Sequence, residues 1–225
     1  MMHKMMHKQF VSYPKSGRTW IRFILSRLDF EHSIQFHHDR FEFNDGSRPA
    51  HDFDLSARLK CYAKVEKLIY LERDPRDVMV SLYYQVMGRF GDFFDCRGSL
   101  SEFIRDDYFG AVNLKKFRDM WEVITERRGF PTISYEACHG DMNGVLQHVL
   151  SYYEFKVLEP RLSDAIRMGS FEKMREVEAS MEFAQPWLRY RNNSPKVREG
   201  KVGGFRAVLS EPDVEYLNKV FELRS

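Results

Sequence analysis

The stretch SYPKSGRTW, residues 12–20, sets Pro, Lys, Ser, Gly, Arg and Thr in six consecutive positions just ahead of an apolar periodic run. On its amino side, Phe10 to Tyr13 reads as a short strand. On its carboxyl side Ile21, Ile24, Leu25 and Leu28 fall at i, i+3, i+4 and i+7, one apolar stripe of a helix. The loop thus joins a strand to a helix N-terminus, where free backbone N–H groups and the helix dipole favour an anion. A nucleoside-triphosphate loop would read G-x-x-x-x-G-K-[ST], with its lysine after the last glycine. Here Lys15 precedes Gly17, so a phosphate loop's residue types occur in another order.

The pattern recurs. KLIYLERD, residues 67–74, reads as a buried strand running into DPRDVMVSLYYQVM. Asp74 suits the N-cap and Pro75 the first helical position. Val78, Met79, Leu82 and Val86 supply an apolar face, while Asp77, Ser81 and Gln85 share a polar face at steps of four. In both units a strand ends at a basic residue and a capped helix begins. Ligands of open α/β sheets bind at the carboxyl ends of strands, so neighbouring strand ends can hold two anionic groups of one ligand.

FPTISYE, residues 130–136, is a third strand candidate. Helical patterns cover Leu114 to Glu126 and Met142 to Tyr153, and Ser210 to Asp213 can form a capping box ahead of Val214, Leu217 and Phe221. Residues 30–57 and 87–98 read as irregular. Strands alternating with helices predict a three-layer, P-loop-like α/β fold with a central parallel sheet flanked by helices.

The chain has 225 residues, 43% hydrophobic and 30% charged, which suits a single domain over residues 1–225. Residues 1–8, opening on the doubled tetrapeptide MMHK, read as a tail; His3 and His7 in it fit fraying better than a metal site. A formal charge of +2 argues against a nucleic-acid partner. Cys61, Cys96 and Cys138 are far apart, which points to a reducing, cytoplasmic setting. No apolar run approaches the roughly 18 residues of a membrane span.

YPKSGRTW resembles the 5′-phosphosulfate loop of sulfotransferases that use 3′-phosphoadenosine-5′-phosphosulfate (PAPS). ERDPRDVMVSLYYQ is similar to their 3′-phosphate segment, in which Arg73 and Ser81 take the places of the Arg and Ser that grip this phosphate. VREGKVGGFRA, residues 197–207, looks like their C-terminal glycine-rich motif. The resemblance implies that Lys15 stabilises charge on the bridging oxygen as the sulfuryl group leaves. Ser16, Gly17 and Thr19 then cradle the 5′-phosphate. Arg18 replaces a frequent Thr and either adds a phosphate contact or, the preferred of the two, points to solvent. Trp20 stacks on adenine, with Tyr135 and Phe171 completing the pocket, while Gly169 stands where many members have Thr. Arg198, Glu199 and Gly200 replace a frequent Arg-Lys-Gly. Arg198 and the backbone at Gly200 can still meet the 3′-phosphate, and Lys201 can compensate for Glu199. The expected product is adenosine 3′,5′-bisphosphate, and no metal is required.

An acceptor hydroxyl needs a base, and a histidine suits that proton. His51 lies close to the family's spacing ahead of Arg73, with Asp52 or Asp54 to orient it. His37 and His38 are the other candidates. Pro49 stands where many members have an auxiliary lysine, and Arg48 is a possible replacement. Aromatic loops at residues 36–43, 90–94 and 186–190 suggest a small apolar or ring-containing alcohol as acceptor. A P-loop small-molecule kinase would need its lysine after the glycine. A non-catalytic nucleotide-binding module would keep the pocket without the base. The oligomeric state is left open.

Overall fold

β1 (Lys8–Ser12) is buried from Gln9 onward and lies in the middle of a parallel sheet. The computed structural model describes residues 7–180 and 185–223. Beside β1 run β2 (Gln35–His37), β3 (Lys67–Glu72) and β4 (Thr132–Ser134), in the order β2-β1-β3-β4. Phe10 pairs with Phe36 on one side and Ile69 on the other, and Val11 with His37 and Tyr70.

Successive strand residues face opposite sides of a sheet. Phe10, Ile69 and Leu71 pack on one side with Ile24 of α1 (Arg18–Arg27), Leu146 and Val149 of α8 (Met142–Tyr152), and Leu162 of α9 (Glu159–Met168). Val11, Leu68 and Tyr70 pack on the other with Met79 of α3 (Pro75–Tyr84), Trp121 of α6 (Ala111–Arg128) and Leu217 of α11 (Glu211–Phe221). Both faces are covered, which is why β3 reads as an unbroken apolar run. This is the three-layer, P-loop-like α/β architecture expected from the strand–helix alternation.

The shorter helices are α2 (Leu55–Cys61), α4 (Gly91–Phe94), α5 (Leu100–Phe103), α7 (Tyr135–Gly140) and α10 (Phe171–Ser180). Asp74 caps α3 by accepting from the Arg76 N–H at 2.9 Å, and Ser210 caps α11 by accepting from the Asp213 N–H at 3.3 Å. Three expectations need correction. Residues 30–57 are not wholly irregular, since they contain a 3₁₀ turn (Glu31–Ser33), β2 and the start of α2. β2 is a three-residue edge strand, too short to display a period. Residues 87–98 contain the end of a π turn (Gln85–Arg89) and then α4. The tail expected over residues 1–8 stops sooner: Lys8 is in β1, and the His7 carbonyl accepts from the Lys67 N–H at 3.1 Å. Residues 1–6, with His3, lie outside the described residues. Among the described residues no helix is long and apolar enough to cross a membrane.

Candidate active site

The loop after β1 turns tightly, the Ser16 N–H reaching the Tyr13 carbonyl at 3.3 Å and the Trp20 N–H the Gly17 carbonyl at 2.9 Å. Lys15 has φ 73° and Gly17 φ 100°. A left-handed lysine is costly, and such outliers concentrate at functional sites. Glycine is required at position 17 twice over, since a Cβ there would also overlap the Tyr135 ring.

Arg73, just past the end of β3, gathers distant parts of the chain. Its guanidinium donates to the Lys15 carbonyl at 3.2 Å and to the Lys201 carbonyl at 2.9 Å. It lies 4.1 Å from the Tyr135 ring centre and 3.7 Å from Asp77. Asp77, 3% exposed, accepts from the Gly203 N–H at 2.7 Å and the Phe205 N–H at 2.9 Å. The polar face of α3 thereby docks the C-terminal glycine-rich segment against the first loop. Arg73 Nε is buried and has no hydrogen-bond partner.

These segments border one cleft of about 320 Å³. At one end, Trp20 donates its indole N–H to the Gly169 carbonyl at 2.7 Å and leans on Tyr135 and His139, with ring centres 5.6 and 4.8 Å away. A Cβ at Gly169 would overlap Ile24, so a threonine does not fit here without movement. Phe171 lines the same end. Lys15, Arg73, Ser81, Arg89, Lys196 and Arg198 also line the cleft. Burial, then the nearby charges of Lys196, Arg89, Arg73 and Arg198, holds Lys15 well below the ordinary lysine range. Burial and Arg89 and Arg18 push Lys196 down to about 7. So dense a group of cations suits a polyanion.

His38 also borders the cleft. Its Nδ1 lies 2.7 Å from the Ser12 carbonyl, which can only accept, so Nδ1 carries the proton and Nε2 keeps a lone pair. Burial, then Arg18, holds the imidazole well below its ordinary pKa and hence neutral.

A family model described as "Sulfotransferase domain" matches residues 9–224. The chain belongs to the sulfotransferase domain family. It is 28% identical over 119 residues to sulfotransferase 2B1 of Mus musculus, an alignment covering 51% of this chain and 34% of that protein. The 3-beta-hydroxysteroid sulfotransferase of Cavia porcellus is 23% identical, with 94% of this chain and 81% of that one covered. The alignments to sulfotransferase 2B1 of mouse, rat and human span about a third to a half of those proteins (34%, 54% and 44%). Mouse sulfotransferase SULT7A1, solved with PAP, superposes with a TM-score of 0.66 at 16% identity, covering 95% of this chain and 81% of that one. Retinol dehydratase with androsterone and PAP gives 0.63 at 15%, covering 96% and 80%. At these identities the superpositions establish the shared fold.

The sulfotransferase motifs can be placed residue by residue. Lys15, Gly17, Arg18, Thr19, Trp20, Arg73, Ser81, Tyr135, Phe171, Arg198, Glu199, Gly200 and Lys201 all border the cleft. Ser16 does not; it is 2% exposed beneath the loop. Glu199 pairs with Arg198, which also lies 4.3 Å from the Tyr84 ring centre.

His51 stands apart from the residues that line the cleft. It stacks on Tyr108 at 4.3 Å within an aromatic group that includes Phe41 and Phe53, and its Nε2 is buried without a hydrogen-bond partner among the described residues. Its intended orienters are engaged elsewhere: Asp54 caps α2 and Asp52 accepts from the Asp54 N–H. His37 also faces away, with Nε2 against Gln9 at 3.0 Å and Nδ1 accepting from the Asp39 N–H at 3.2 Å. Arg48 donates to the Phe94 carbonyl at 2.9 Å, outside the cleft wall. Of the two directions open to Arg18, the side chain turns inward rather than to solvent: it borders the cleft and its Nη1 is buried without a partner.

Trp187 borders the cleft as the aromatic loop at 186–190 suggested, while Arg22, Glu42, Asn44, Arg89 and Lys196 also border it and carried no motif. Gln85 was visible as the third member of α3's polar face. The others are isolated residues in loops or turns, or lie on the polar side of α1. Among the described residues, no three His, Cys, Asp or Glu side chains are grouped to hold a metal.

Proposed function

We propose that this chain transfers the sulfuryl group of PAPS to a hydroxyl of a small acceptor, with His38 as the general base. The observation that carries the reading is Arg73. One guanidinium ties the Lys15 loop to the Lys201 loop and keeps a buried, unpartnered Nε in a cleft crowded with cations. A ribose phosphorylated at two positions fits this set: the Gly17 loop and α1 N-terminus for the 5′ group, and Arg73, Ser81 and Arg198 for the 3′-phosphate. Trp20, Tyr135 and Phe171 offer the aromatic end to the base. When bound, PAPS supplies an activated sulfuryl group, and adenosine 3′,5′-bisphosphate is the by-product.

Lys15 places fixed positive charge where the leaving oxygen gains negative charge, an interaction stronger in the transition state than in the ground state. His38 Nε2 accepts the acceptor's proton while the Ser12 carbonyl holds Nδ1–H and so the tautomer. The segments around the cleft position both partners, which removes much of the entropic cost of their meeting.

Titration calorimetry with adenosine 3′,5′-bisphosphate and with ATP·Mg²⁺ tests the reading. Tight binding of the bisphosphate and weak binding of ATP·Mg²⁺ are expected, and the reverse order would overturn it in favour of a kinase.

A further inference from the structure

The cleft wall around His38 carries charge that sulfuryl transfer leaves unassigned. Arg18 leaves the first turn of α1 and borders the cleft with a buried, unpartnered Nη1. Its charge acts on His37, His38 and Lys196. Lys15 instead feels Lys196, Arg89, Arg73 and Arg198. Arg18 thus borders the same cleft as His38 and Lys196. Lys196 stands between the two groups, acting on both Lys15 and His38.

Two of the neighbouring carboxylates are committed to other partners. Glu31 pairs with Arg22 at 2.6 Å and accepts from the Trp187 indole at 2.9 Å. Glu178 accepts from the Lys196 and Val197 backbone N–H groups and lies 3.8 Å from Arg89. Glu42 borders the cleft, accepts from the His38 backbone N–H at 3.3 Å and favours the charged Arg18 through space, without an ion-pair contact among the described residues. Among the described residues neither Arg18 nor Lys196 makes an ion pair, and the carboxylates acting on them, Glu42 on Arg18 and Glu178 on Lys196, do so without direct contact. A buried cation in that position favours an anionic ligand, and a guanidinium fork matches a planar carboxylate.

We propose that Arg18 and Lys196 form a carboxylate subsite next to His38, so that the preferred acceptors are small hydroxy acids rather than neutral alcohols. This rests on the sulfotransferase reading and replaces the apolar alcohol suggested by the aromatic loops. Phe43, Phe90 and Trp187 of those loops do border the cleft and would flank the acceptor's carbon skeleton.

The test is calorimetric titration of the full chain loaded with adenosine 3′,5′-bisphosphate. The probes are para-hydroxybenzoate, para-hydroxyphenylacetate and para-hydroxyphenylpropanoate, each against its neutral amide. At least one acid should bind about tenfold or more tightly than its amide, the size of one charge-assisted contact. Arg18→Gln and Lys196→Met should each bring that ratio towards one. The proposal is overturned if no acid outbinds its amide. It is also overturned if Arg18→Gln keeps the ratio and costs bisphosphate affinity, which would make Arg18 a nucleotide ligand. Failure of the bisphosphate to bind at all would sink the sulfotransferase reading instead. Lys196→Met, in a loop, keeps the test decisive should the α1 variant not fold.

Discussion

In the displacement proposed above, Lys15 and His38 would meet opposite demands, the first the charge that leaves and the second the proton that is released. Lys15→Ala should lower kcat by roughly 10²–10³, the cost of removing one fixed charge-stabilising group. His38→Ala should lower it by roughly 10²–10⁴, the contribution of a positioned base. His51→Ala should leave turnover nearly intact, because its ring packs among Phe41, Phe53 and Tyr108 outside the cleft. Bisphosphate release from PAPS checks all three variants; full turnover in His38→Ala together with loss in His51→Ala would reverse the assignment. Lys15 was legible because it sits inside a local motif. His38 was one of two adjacent histidines, and nothing in FHHDRF distinguishes the ring that meets the Ser12 carbonyl from the one that meets Gln9.

The loop–helix units and the segments docked on them set where these side chains stand. Gly17→Ala puts a Cβ into the Tyr135 ring at a φ that only glycine adopts freely. Bisphosphate affinity should fall at least about tenfold in this variant, measured by calorimetry, because the loop must move to relieve the overlap. Glu178, 1% exposed on α10, clamps the backbone at Lys196 and Val197 and faces Arg89. Glu178→Ala should destabilise the fold by about 3 kcal/mol, the cost of stranding a buried charge and its donors. Urea unfolding checks this, and an unchanged midpoint would show that the clamp is incidental. Helices α1, α3, α6, α8 and α11 were legible from their periodicity and caps. β2 and α4 were not, because each is under five residues and its place is set by pairing or packing partners.

Across the molecule, the convergence of cations makes stability depend on pH. Lys196 is held at about 7 and Lys15 well below its ordinary value. Between those depressed values and the ordinary lysine pKa of 10.5, the unfolded chain binds more protons than the folded one. The lysines therefore make stability rise with pH across that window and fall as pH drops towards neutrality. The melting temperature should rise from about pH 7 to about pH 9, and Lys196→Met should flatten the rise. A polyanion in the cleft raises both lysine pKa values, so bisphosphate binding near pH 8 should take up protons, read from calorimetry in buffers of different ionisation enthalpy. Binding without proton uptake would mean that the two lysines do not share the nucleotide's field.

The α/β class and its two strand–loop–helix units could be read from contiguous residues, because periodicity, caps and a lysine-before-glycine loop are local properties of the chain. Folding made the remaining choices. Parallel pairing of β2 on β1 brings His38 to the Ser12 carbonyl. Asp77 fastens Gly203 and Phe205, Glu178 clamps Lys196 and Val197, and Arg18 turns inward with its Nη1 buried. These contacts join residues that are remote in sequence or depend on which way a side chain turns within the packed molecule, so neither period nor spacing records them.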